Sequence, residues 1–242
     1  MRLDKFLCDA GIGSRKDIKK IIKSGAVLVQ GFSSIRPETH IDPECDKVFL
    51  NGSPVIYRKF IYLMMNKPKG YISATFDKRL PTVLDLVPEE YLHYDLFPAG
   101  RLDIDTEGLL LLTNDGQLAH NILSPKKHIP KTYFAEISGE VTAEDARKFK
   151  EGVIIDGDIK TKPATLEILS SGEVSEINLT ITEGKFHQVK RMFETVGKEV
   201  IYLKRIKMNS LPLDESLSLG EVRELSEEEI KLIKEGVSYE KA

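Results

Sequence analysis

Tryptophan is absent from this 242-residue chain, and cysteine occurs only twice, at Cys8 and Cys45. Neither cysteine has a partner at the two- to four-residue spacing of a structural zinc set, and two isolated thiols exclude a disulfide scaffold. They read as reduced thiols. No apolar run approaches the roughly 20 residues that span a bilayer, and the opening Met1-Arg2-Leu3-Asp4-Lys5 lacks the apolar core of a secretory signal. The expected location is the cytoplasm, where the glycosylation-type triplet Asn178-Leu179-Thr180 carries no weight.

Nucleotide-binding signatures are missing as well. Gly184-Lys185 runs into Phe186 and Gly197-Lys198 into Glu199, so neither makes a phosphate-binding loop. Gly11-Ile12-Gly13 lacks the third glycine of a dinucleotide fingerprint and follows a helical pattern instead of a strand. No G-x-S-x-G elbow anchors a hydrolase triad. ATPase, dehydrogenase and serine hydrolase chemistry are thereby set aside, and no residue set asks for a cofactor or a metal.

What is present is an ordinary globular composition, 41% hydrophobic, with 35 basic against 38 acidic residues. The net charge of −3 is unevenly spread. Residues 1–59 hold 11 Lys and Arg against 7 Asp and Glu, and residues 60–242 hold 24 against 31. Within the acidic part, Lys185 to Lys207 carries seven basic residues against two glutamates. Two basic islands on an acidic chain suit a polyanion such as nucleic acid, whose counterions are released when phosphates are neutralised. Two solvated faces are the plainer explanation.

The first island falls on a helix. Ser14 is a good N-cap, Asp17 completes a capping-box-like pattern, and Gly25 stands where the helix stops. Ile18, Ile21 and Ile22 then share one face, while Arg15, Lys16, Lys19, Lys20 and Lys23 fall on an arc of about 140° on the other side. Leu3, Phe6, Leu7 and Ala10 have helical spacing before it, and Ala26–Gly31 and Lys47–Val55 read as short strands, the second turning at Asn51-Gly52. This unit resembles the alpha-L RNA-binding domain, and the resemblance implies that its second helix presents those five basic residues to RNA.

A change to apolar sequence at Phe60–Met65 places the domain boundary near residue 59, giving domains 1–59 and 60–242. The second part mixes strand candidates (108–112, 132–138, 153–155, 164–169, 177–182) with fewer helices (117–123, 143–150, 188–196). A terminal helix over 227–234 is capped by Ser226. This pattern predicts an α+β fold, a mixed or antiparallel sheet with helices.

The densest polar segment, Gly100-Arg101-Leu102-Asp103-Ile104-Asp105-Thr106-Glu107-Gly108, runs straight into Leu109–Leu112. Three carboxylates in a loop against a buried strand are either a solvated turn or a reacting group held by a rigid element. The segment resembles the central motif of pseudouridine synthases. Asn66-Lys67-Pro68-Lys69-Gly70-Tyr71 resembles their upstream loop, Lys131-Thr132-Tyr133 the motif with an active-site tyrosine, and Glu183–Phe193 the third motif. The four stand in the family's order. Met1–Phe6 and His187-Gln188-Val189-Lys190-Arg191-Met192-Phe193 resemble the branch that modifies small-subunit ribosomal RNA.

The resemblance implies uridine-to-pseudouridine isomerisation without a cofactor, at uridine 516 of 16S rRNA, in assembling small-subunit particles. Asp103 would be the catalytic carboxylate and Tyr133 the aromatic face for a flipped base. Lys190 is assigned by motif position as the cation that keeps Asp103 ionised, with Arg191 as the alternative. Arg101 either contacts RNA or pairs with Asp105 or Glu107, and His187 is read as a structural or RNA-contacting group. A monomer suits such an enzyme. Three other readings stay open: a large-subunit rRNA synthase, a noncatalytic RNA-binding assembly factor, and a glycosidase using Asp103 with Asp105 or Glu107.

Overall fold

The computed structural model describes residues 1–236, and the chain divides into two compact units. One comprises Met1–Ile61 together with Pro88–Leu96; the other comprises Tyr62–Val87 and the chain from Phe97 onward. The division expected after residue 59 thus lies at Ile61, and a nine-residue excursion returns to the first unit. Nothing local marks that return, which depends on a tertiary contact. Gly11, at φ +77°, accommodates the His93 ring, whose atoms would lie 2.8–2.9 Å from any Cβ there.

In the first unit α1 (Leu3–Asp9) and α2 (Arg15–Lys23) precede three short antiparallel strands, β1 (Val27–Val29), β2 (Val48–Leu50) and β3 (Ser53–Pro54). Ser14 caps α2 by accepting from the Asp17 N–H, and Gly25 follows its end at φ +76°. Ile18 and Ile22 are buried with Leu3, Phe6, Leu7, Val27 and Val29, whereas Ile21 is only half-buried at the edge of that core. Arg15, Lys16, Lys19, Lys20 and Lys23 are all exposed.

The second unit is built on one mixed sheet. Its chain order is β4 (Tyr62–Lys67), β5 (Phe97–Pro98), β6 (Glu107–Thr113), α3 (Gly116–Leu123), β7 (Lys131–Ser138), α4 (Ala143–Glu151), β8 (Ile154–Ile155), β9 (Ile159–Lys160), β10 (Thr165–Ser170), β11 (Val174–Ile181), α5 (Gln188–Glu194), β12 (Glu199–Met208), β13 (Leu211–Pro212), β14 (Val222–Glu224) and α6 (Glu227–Lys234). The spatial order is β10-β11-β7-β12-β6-β4-β14, with β13 on β12, β5 on β6, and a separate β8–β9 hairpin. Every pairing is antiparallel except β12 with β6, where Lys204 faces Glu107 and Arg205 faces Gly108. The fold is α+β.

Burial follows sequence pattern. The near-continuous apolar runs of β4 and β6 are buried at every position, while β7 alternates buried and half-buried residues, with one face turned outward. Met64, Leu109, Leu111, Leu118, Ile122, Met208 and Ile233 form the core beneath α3 and α6. Strand β12 has no counterpart in the sequence reading. Its lysines, half-buried or exposed, and an inward-facing Arg205 hide its period, and two register shifts against β7 break the alternation further. Among the described residues, no helix is long and apolar enough to cross a membrane.

Candidate active site

The loop 99–106 lies just ahead of β6, where the sheet changes from antiparallel to parallel pairing. Residues of the upstream Asn66–Tyr71 segment hold it from behind. Lys67 is fully buried at the end of β4 and donates to the carbonyls of Thr106 at 2.9 Å, Asp103 at 3.0 Å and Pro68 at 3.1 Å. Gly70 N–H donates to the Ile104 carbonyl, and the Ser73 hydroxyl both donates to the Leu102 carbonyl and accepts from its N–H. The loop backbone is therefore fixed on both sides of Asp103. Burial pushes the Lys67 ammonium down to about 8, although Asp105, Asp103 and Glu107 favour its charge.

With its backbone held, the Asp103 side chain projects into a cleft of about 830 Å³, within the roughly 300–1,000 Å³ range of small-ligand sites. Arg101, Tyr133, Lys131, Arg205, Phe186 and His187 line the same cleft. Tyr133, 8% exposed, comes from β7, directly opposite Arg205 of β12 and Leu179 of β11. His187 brings Nε2 to 3.7 Å from the Asp103 carboxylate. It does so from φ +51°, a left-handed conformation unusual for a non-glycine residue, and its ring stacks on Phe186 at 3.7 Å between centroids. Arg191 also lies over the Phe186 ring, 5.0 Å from its centroid.

The cations assigned to Asp103 are placed differently from the sequence expectation. Lys190 Nζ bonds both oxygens of Asp105, at 2.6 and 2.7 Å, and Arg191 pairs with Asp156 at 2.6 Å. Burial opposes charge on Asp105, but the bond to Lys190, the charge of Lys190 and a backbone hydrogen bond together outweigh it and hold that carboxyl below its usual range. The reason is positional. Lys190 and Arg191 project from the body of α5, whereas His187 caps its N-terminal end and reaches the carboxylate first. Arg101 is exposed and makes no ion pair with Asp105 or Glu107 among the described residues; Glu107 instead accepts from the Tyr202 hydroxyl.

Sequence reading passed over Lys67, Ser73, Lys131 and Arg205 as individual site residues. A lysine just past the apolar run Tyr62–Met65 was the available signal for Lys67, because a buried ammonium needs several acceptors. The exposed α2 cations belong to the other unit and take no part in the cleft.

A cleft that holds the Asp103 carboxylate beside Tyr133, in a chain that also carries a basic capped helix, suits an RNA-modifying enzyme. Residues 61–195 match the family model for RNA pseudouridylate synthase, and residues 1–31 match that of the S4 domain. The chain belongs to the RNA pseudouridylate synthase family, isomerases that convert uridine to pseudouridine, and its first unit carries an RNA-binding S4 domain.

Over 97% of its length it is 53% identical to an uncharacterised RNA pseudouridine synthase, YtzG of Bacillus subtilis, of which 99% is covered. It is 40% identical to the ribosomal small subunit pseudouridine synthase A of Escherichia coli, over 95% of this chain and 98% of that one. A crystal structure of a pseudouridylate synthase aligns at 38% identity with a TM-score of 0.67, covering 96% of this chain and 99% of that chain.

Proposed function

We propose that this chain is a cytoplasmic, monomeric small-subunit rRNA pseudouridine synthase that converts uridine 516 of 16S rRNA in assembling particles. The observation that carries the catalytic reading is the placement of the Asp103 carboxylate in a cleft lined by Tyr133 and His187, on a loop whose backbone Lys67 and Ser73 restrain. Similarity to small-subunit synthases of known name, at 40–42% identity, supports the substrate.

In this reading the target uridine leaves its stack, and its base rests against Tyr133. The C1′–N1 bond breaks with its electron pair remaining on uracil, the base turns, C5 bonds C1′, the C5 hydrogen is lost as a proton, and N1 takes up a proton. Asp103 is the carboxylate acting at the electron-poor sugar carbon or on the base. His187 orients it, and Lys190 secures the loop through Asp105. Arg101 and Arg191 meet flanking RNA, and Arg15, Lys16, Lys19, Lys20 and Lys23 dock it. Binding alone would not require a restrained carboxylate, which counts against a noncatalytic assembly factor. A neutral sugar substrate would not need the exposed basic face of α2.

Tritium release from C5-labelled uridine tests the assignment. Release is expected with 16S rRNA in small-subunit particles, mapping to one uridine. Release from 23S rRNA instead would transfer the chain to the large-subunit branch, and binding without release from either would leave an assembly factor. The docking role has its own measurement. Neutralising Lys16, Lys19 and Lys20 to Gln is expected to weaken RNA binding and to lower the slope of log affinity against log salt by about 2 to 3. An unchanged slope would exclude α2 from the RNA contact.

A further inference from the structure

Inside the cleft lie two buried cations that no carboxylate neutralises among the described residues. Lys131 is 8% exposed and Arg205 1%. Lys131 is two residues before Tyr133 on β7, and Arg205 is directly opposite Tyr133 on β12, so all three point from the same face of the sheet into the same cleft. Lys131 Nζ has one protein partner, the Ile129 carbonyl at 3.1 Å. Arg205 Nε donates to the Leu109 carbonyl at 2.8 Å, while its buried Nη2 has no hydrogen-bond partner among the described residues.

Neither forms an ion pair among the described residues. Of the two carboxylates lining the cleft, Glu183 is already bonded to Lys185, Gln188 and the Lys162 N–H, and Asp103 has His187 at 3.7 Å. Burial, and secondarily Arg205, push the Lys131 ammonium down to about 8. Two like charges withdrawn from water without a counterion are costly, and a methionine would fill either position more cheaply. Such an arrangement is what a site looks like when its anion arrives with the substrate or forms during the reaction.

Resting on the proposed isomerisation, we infer that Lys131 and Arg205 bind the uracil base and stabilise the negative charge it acquires when the C1′–N1 electron pair stays with it. That charge spreads over N1, O2 and O4, and the carbonyl oxygens are natural acceptors for Lys131 Nζ and Arg205 Nη2. Location favours the base over a backbone phosphate. The pair flanks the tyrosine on which the base rests and is itself buried, whereas Arg101 in the same cleft is exposed, as a phosphate contact would be.

The test is Lys131→Met, with Arg205→Lys as a second variant that keeps charge and moves the donor. Each is compared with wild type by tritium-release kinetics on 16S rRNA particles and by thermal melting at pH 7. Because Lys131→Met removes a buried charge repelled by Arg205, it is expected to melt no lower than wild type while kcat falls about 10²-fold and KM stays within about twofold. Arg205→Lys should likewise lower kcat more than it raises KM.

A lower melting temperature for Lys131→Met with unchanged kcat would make the lysine structural and overturn the inference. A rise in KM alone, shrinking at high salt, would overturn it in favour of a phosphate site. If wild type itself releases no tritium, the proposed function fails and the inference with it.

Discussion

Asp103→Asn is expected to lower turnover by more than about 10³-fold while leaving the fold and the RNA affinity in place. The substitution keeps side-chain size and removes only the charge and nucleophilicity of the carboxylate. What shapes the loop is its backbone: the Asp103 carbonyl accepts from Lys67 Nζ and from the Thr106 N–H, and the neighbouring Leu102 is bonded through both backbone groups to Ser73. None of these bonds uses the carboxylate. The side chain's neighbour His187 sits 3.7 Å away and belongs to a cleft wall with its own support, stacked on Phe186. Tritium release, thermal melting and filter binding on the same variant separate the outcomes. Equal losses of binding and turnover would assign Asp103 to RNA contact or folding.

Gly108→Ala carries the largest expected effect on stability. Gly108 lies where β6 meets β12 in parallel and β4 in antiparallel pairing, opposite Arg205 on one side and Lys67 on the other. Its φ is +100°, and an added Cβ would lie 2.3 Å from the Arg205 carbonyl oxygen and 2.8 Å from the Arg205 nitrogen. Both are backbone atoms in the middle of a sheet and cannot swing aside. Strained dihedral and steric overlap together are expected to cost at least about 4 kcal/mol, lowering the melting temperature by roughly 10 °C or preventing recovery of folded protein. Gly184→Ala is the matched control, since nothing lies within 4 Å of a Cβ there. A Gly108→Ala protein melting with wild type would show that the β6–β12 junction is not as close as described.

The two variants also mark the boundary between local and long-range information. Helix ends were legible because a cap is decided within three or four residues: Ser14 with Asp17, and Ser226 with Glu229. The buried strands β4 and β6 were legible because apolar runs have few other destinations. Asp103 and Tyr133 could be named from motif resemblance, and the structure puts them in one cleft although 30 residues separate them.

Strand β12 was not legible, because its lysines and a buried arginine make it read as part of a basic island. Its inward residues become favourable only when β6 and β7 flank it. The partner of Lys190 was equally beyond reach. Sequence order puts Lys190 beside Arg191 and near His187, but whether Asp103 or Asp105 meets it depends on how α5 is seated over a loop 85 residues earlier. The sequence by itself determined the caps, the apolar strands, the basic helix and the chemical inventory of the site, all properties settled by neighbours along the chain. Only the tertiary structure decided that Lys67 restrains the Asp103 loop, that the His187 ring approaches the carboxylate, and that Lys131 and Arg205 lie unpaired by any carboxylate beside Tyr133 among the described residues. Those relations join strands far apart in sequence, and charge pairing and burial act through distance in space.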